Sequence, residues 1–181
     1  MTELEDRCLD TFPQWLRSLA DDAVALAAVV DSDAPEAARR YVAGGLTYLF
    51  KSLDLIPDGI EDLGYLDDCF VLREASHLAL EGSPDLGSKH PVLSQLAEGS
   101  DLISQLIGAA DHARLVKYTE GLKSGAVRGR SVDELVDDAD KRAAFVEELH
   151  GWAASYDAPT FARDTKNLVK LQSFLGAKLP A

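Results

Sequence analysis

The 181-residue chain has only two cysteines, Cys8 and Cys69, too few for the disulfide framework that staples small secreted domains. The paired-cysteine spacing of zinc sites is missing too. Basic charge is scarce: 18 Lys and Arg stand against 31 Asp and Glu, a formal net charge of −13. A phosphate backbone or an anionic lipid surface is repelled by such a field. The tight basic cluster Arg128-Gly129-Arg130 is too small to reverse it. Long apolar runs are lacking as well. Ala23–Val30 is the longest, at eight residues, where a membrane-spanning helix needs roughly twenty. The first ten residues carry four acids, whereas an export signal opens on basic residues followed by an apolar stretch. These absences predict a cytoplasmic protein with reduced thiols and no nucleic-acid partner.

What remains is a composition fit for a packed core, with 46% apolar and 27% charged residues. The length suits one domain spanning 1–181. Helical periodicity dominates, with no sustained strand-like alternation and no Asn-Gly hairpin dipeptide. Thr2 and Glu5 form a capping box at the start of a first helix. Its apolar positions Leu9, Phe12, Leu16, Leu19, Ala23, Leu26 and Val30 advance in alternating steps of three and four, a narrow seam for another helix. Pro13 predicts a kink or a restart there. The seam packs either within the chain or against a second copy in a homodimer.

Asp33 is the expected N-cap of a second helix reaching about Lys51, with Pro35 in its first turn. Gly44-Gly45 inside it predicts close approach of another backbone, or a weak point. An irregular stretch from Ser52 to Leu66 precedes a third helix from Asp67 to about Glu81. Gly82 to Pro91 reads as a loop. Helix then resumes at Val92, with a break at Gly99 and Ser100 as the next cap, and runs to about Lys123. Ser124 to Arg130 is a second loop, Ser131 and Glu134 form another capping box, and helices over 139–156 and 160–175 complete an all-α bundle of five to seven helices.

The segment Leu53-Asp54-Leu55-Ile56-Pro57-Asp58, followed by Gly64-Tyr65-Leu66-Asp67-Asp68, resembles the YkvA-like family, a bacterial domain of unknown function. The likeness covers about residues 41–80. It implies a helix, an Asp-x-Ile-Pro-Asp element, and a Gly-x-Leu-Asp-Asp element opening a second apolar helix. Some members are embedded in membranes. In this chain the apolar run Cys69-Phe70-Val71-Leu72 is cut short by Arg73-Glu74, which argues against that version.

The residues themselves predict a tight helix–turn–helix. Asp54 accepts from backbone N–H groups of the turn, Asp58 caps a short turn, Gly64 supplies a positive φ, and Asp67 is the N-cap of the third helix with Asp68 beside it. Leu55, Ile56, Ile60, Leu63 and Leu66 plug the turn. Two alternatives stand beside this reading. Asp54, Asp58, Asp67 and Asp68 together are a candidate site for a divalent cation such as Mg²⁺ or Ca²⁺, which would make the protein a metal-dependent enzyme. They are also a candidate acidic docking surface. A third role, peripheral membrane association, would use the Leu55-Ile56 turn or the first helix.

Two Glu-x-x-His pairs, Glu74 with His77 and Glu147 with His150, have the spacing of di-iron bundle ligands. At about 100° per residue, His77 and Glu147 point away from their helices' apolar stripes, so both pairs are expected to face outward. Cys69 reads as a core residue. His112 beside Asp111 lacks a nucleophile. The basic loop 123–130 reads as a solvated connection, and Phe12, Trp15, Trp152, Tyr156, Phe161 and Phe174 as core filling. No nucleophile elbow, Walker loop or dinucleotide fingerprint occurs. The expected function is a non-catalytic cytoplasmic interaction protein that binds a protein partner or itself.

Overall fold

A computed structural model describes residues 1–51, 54–57, 59–60 and 63–181. Among the described residues the fold is all-α. Its helices, in chain order, are α1 (Glu3–Val30), α2 (Glu36–Tyr48), α3 (Leu66–Gly82), α4 (Leu86–Lys89), α5 (Pro91–Ala97), α6 (Gly99–Ile107), α7 (Ala109–Gly121), α8 (Val132–Asp137), α9 (Ala139–Ser155) and α10 (Thr165–Lys178). A minimal antiparallel hairpin, β1 (Ala126–Val127) with β2 (Arg130–Ser131), interrupts the series.

The Thr2–Glu5 capping box forms in both directions, and α1 then runs unbroken through Pro13. All seven seam residues are buried by other parts of the same chain, so the seam is not a dimer surface. Burying each large apolar side chain contributes about 1.5–3 kcal/mol relative to leaving it exposed. Helix α3 lies at the centre, packed against α1, α2, α5, α6 and α7. Helix α9 lies along α1 and α8, and α10 also rests on α1.

Several boundaries differ from the sequence expectation. Asp33 does not cap α2. Pro35 holds that position without a side-chain cap, and Ser32 secures the turn instead, donating to Val29 O at 2.6 Å and accepting from Ala34 N at 3.1 Å. Helix α2 ends at Tyr48, short of Lys51. The expected loop 82–91 contains the single turn α4. Ser100 sits inside α6, where its hydroxyl has another use described below. The helix expected to run to Lys123 breaks at Gly108, whose φ of 85° favours glycine. Helix α10 starts at Thr165, because the Asp164 carboxylate accepts from Lys166 N. Of the paired glycines, Gly44 meets another backbone as expected, whereas Gly45 meets a side chain. A methyl group on Gly44 would lie 2.8 Å from the Leu122 carbonyl carbon, and one on Gly45 would lie 2.9 Å from Ala75 Cβ.

Among the described residues no helix is long and apolar enough to cross a membrane. The Leu55-Ile56 turn, one of the two alternatives for membrane contact, is itself buried in the core.

Candidate functional site

Helix α3 is surrounded over most of its length, so much of its polar face is inside as well. Asp67, Asp68, Arg73, Glu74 and Ser76 are all buried. Charges in such a place cost several kcal/mol each unless paired and hydrogen-bonded. Their partners define two clusters, one at the start of the helix and one near its middle.

The first cluster closes the bend between α2 and α3. The Tyr48 hydroxyl accepts from Leu55 N at 2.7 Å and donates to Asp67 Oδ2. The same carboxylate oxygen accepts from Ile56 N at 3.2 Å. The last residue of α2, the backbone of the bend and the first turn of α3 are thus joined through two side chains. Burial, then the charges of Asp67 and Asp68, push the Tyr48 phenol far above its usual range, so it stays a donor. Its ring packs edge-on against Tyr118, with centroids 6.1 Å apart, and Lys51 Nζ donates to the Tyr118 hydroxyl at 2.7 Å.

Asp67 therefore holds the turn, but not as the expected N-cap. Tyr65 occupies that position at φ 69° without a side-chain cap, and Asp67 is in the first helical turn, favoured by the helix dipole. The positive φ belongs to Tyr65 and not to Gly64. Such a conformation costs a non-glycine residue of order 1–3 kcal/mol, and the ring is braced edge-on against Tyr156 at 5.3 Å. Of the candidate metal ligands, Asp67 and Asp68 are buried at the start of α3, Asp54 opens the bend, and Asp58 lies outside the described residues. Among the described residues no group of three or more His, Cys, Asp or Glu side chains is placed to hold a metal ion.

The second cluster lies two turns further along α3. Arg73 stacks on the Trp15 ring at 3.9 Å and donates to Cys69 O at 3.0 Å. Its other terminal nitrogen is 3.9 Å from Asp22, whose carboxyl is raised above the usual range chiefly by burial. Glu74, with 0% exposure, accepts from the Ser100 hydroxyl at 2.9 Å and meets His112 Nε2 at 2.8 Å. The Glu74 hydrogen bond raises the His112 pKa above its ordinary value.

Glu, His and Ser are the members of a hydrolytic triad, but a relay places the acid and the serine on opposite ring nitrogens. Here both meet Nε2, with Ser100 Oγ 3.2 Å from it, and the serine proton is directed at the carboxylate. The arrangement is a buried carboxylate held by two donors from two other helices.

Glu74 also corrects the expectation that its Glu-x-x-His pair faces outward. Only His77 does so, reaching Glu81 at 3.2 Å. Glu147 and His150 are exposed as expected. Local patterning hardly signals the Glu74–Ser100–His112 set, since Ser100 and His112 are 26 and 38 residues from Glu74. The one local signal was a carboxylate in the middle of a mostly apolar helix.

The basic loop is also less free than expected. Arg130 and Arg128 both reach Glu148 and lie over the Phe145 and Phe50 rings.

The fold and the bend define an all-α protein organised around a central, mostly apolar helix that buries several charged side chains. Residues 38–72, from α2 through the bend into α3, match the family model described as "Protein of unknown function (DUF1232)". The resemblance to the YkvA-like family is consistent with that match. No curated protein and no solved structure matches the chain.

Proposed function

We propose that this protein acts by binding a protein partner, in the cytoplasm and without catalysis, and that α10 carries the docking face. The observation that supports this is the character of that helix. Leu168, Leu171 and Leu175 hold it to the core. Its opposite face exposes Val169 at 60%, beside a shallow groove of about 380 Å³ lined by Val169, Lys170, Ser173, Phe174, Ala177 and Lys178.

Lys166, Lys170 and Lys178 lie on α10, which has no acid, on a chain whose net charge is −13. An apolar strip edged by lysines fits an amphipathic helix with a carboxylate rim, the helix-in-groove mode of recognition. Opposite charge at the rim would set register and association rate. The occupant we assign is therefore an acidic helix of a different protein.

The test is a photo-crosslinking residue at position 169, with the same residue at 147 as a control on another exposed helix. The expected result is a crosslink at 169 to a protein bearing an acidic helix, lost on Lys170→Glu with Lys178→Glu. Crosslinks to a second copy of this chain or to lipid, or crosslinks that survive the charge reversal, would overturn the assignment. The reversed positions are exposed, so the melting temperature should hold, with a cost within about 0.5 kcal/mol.

A further inference from the structure

The Glu74 cluster joins three helices at one buried carboxylate: Glu74 comes from α3, Ser100 from α6 and His112 from α7. The imidazole is at the edge of this arrangement. Its side chain is 20% exposed and borders a surface pocket of about 360 Å³ that is also lined by His77, Glu98, Asp101 and Ser104. Its proton can therefore exchange with water while Glu74 stays sealed beneath it. Between α6 and α7 the chain turns on Gly108, a left-handed glycine.

We infer that Glu74, Ser100 and His112 form a proton-controlled latch, closed when His112 is charged and loosened when it is neutral, which fixes α7 to the central helix. With the proton on, a cation faces a desolvated anion, and charge-assisted bonds of this kind are about twice as strong as neutral ones. With the proton off, Glu74 is a buried charge with neutral donors only, the costly condition for an ion in the interior.

The other charged groups facing the imidazole favour the closed form or are occupied. Asp101, on α6, adds negative potential and raises the His112 pKa further, and Glu98, between α5 and α6, is a second acid on the same pocket. His77, on α3, is turned to Glu81. On α7 itself, Asp111 is paired with Arg114 at 2.7 Å. The sign follows from the direction of the shift. A base whose pKa is higher folded than unfolded stabilises the fold at low pH, and this contribution is lost as pH rises through the folded-state value.

Helix α7 also grips α10. Arg114 donates to Gly176 O at 3.2 Å and to Pro180 O at 3.0 Å, and also to Leu179 O. Opening the latch would loosen the seat of the proposed docking face. That consequence rests on the docking reading, whereas the latch does not.

Hydrogen exchange on the intact, partner-free protein tests the latch alone. Between about pH 5.5 and 8.5, spanning the ordinary imidazole value of about 6.5, α7 amides corrected for intrinsic rate should lose protection as pH rises. The loss should approach tenfold for each unit by which the His112 midpoint exceeds that of an unfolded chain. His112→Gln keeps a donor without a titrating group and should make the protection independent of pH. Where that variant folds poorly, Glu74→Gln read by imidazole NMR should bring the His112 midpoint down towards 6.5. Protection that is flat with pH in the native protein, an unchanged pH dependence in His112→Gln, or a midpoint unmoved by Glu74→Gln would overturn the inference.

Discussion

Asp67→Ala is expected to lower the unfolding free energy by about 2–6 kcal/mol, read as a fall in the urea midpoint. The substitution removes the acceptor of the Tyr48 hydroxyl and of Ile56 N in a site without water access. An abandoned buried donor costs about 1–3 kcal/mol, and there are two. Folded domains typically have only about 5–15 kcal/mol in total, so the loss is a large share of the whole. Glu147→Ala, on the exposed side of α9, should change stability by less than about 0.5 kcal/mol. If the two variants unfolded alike, Asp67 would not be holding the bend.

Gly44→Val should be the next most damaging substitution. The methyl position lies 2.8 Å from the Leu122 carbonyl carbon and 2.9 Å from Lys123 N. Both are backbone atoms, which cannot swing aside as the end of a side chain can. Overpacking typically costs about 1–3 kcal/mol, and here α2 must also separate from the 122–124 turn. Thermal unfolding should show the drop, accompanied by faster exchange at residues 122–124. Gly59, where an added methyl meets nothing within 4 Å among the described residues, is the matched control, and Gly59→Val should be nearly silent. Equal melting temperatures for the two would mean that the close approach is not needed.

Much of this was legible in the sequence where the determinants are local. The Thr2–Glu5 box, the three-and-four seam of α1 and the meaning of Gly44 depend on neighbours along the chain or on one face of a helix, and each held. The bend was legible in purpose but not in detail. Its acid does accept from backbone, yet Asp67 bonds Ile56, eleven residues away, and shares Tyr48 with Leu55. A cap reading considers only the next few residues and so chose the wrong amides. It also placed the left-handed residue at Gly64, whereas packing against Tyr156 holds Tyr65 there instead.

The second cluster was not legible. Ser100 looked like a helix cap because serine prefers caps. Its hydroxyl is instead drawn inward by Glu74, a carboxylate that no local pattern brings to it. His112 looked solitary for the same reason. A single outward stripe on α3 would carry Glu74 together with His77, but neighbours on several sides leave only the His77–Glu81 edge open and put Glu74 at 0% exposure.

The carboxylate of Asp67 and the phenol of Tyr48 act as one unit that pins the backbone between α2 and α3. A double-mutant cycle with Tyr48→Phe and Asp67→Ala, each unfolded in urea, measures this directly. The predicted result is a double variant less destabilised than the sum of the singles, with a coupling of about 1–3 kcal/mol, as for residues in one buried network. Additivity to within about 0.5 kcal/mol would show the two side chains acting separately and would contradict it.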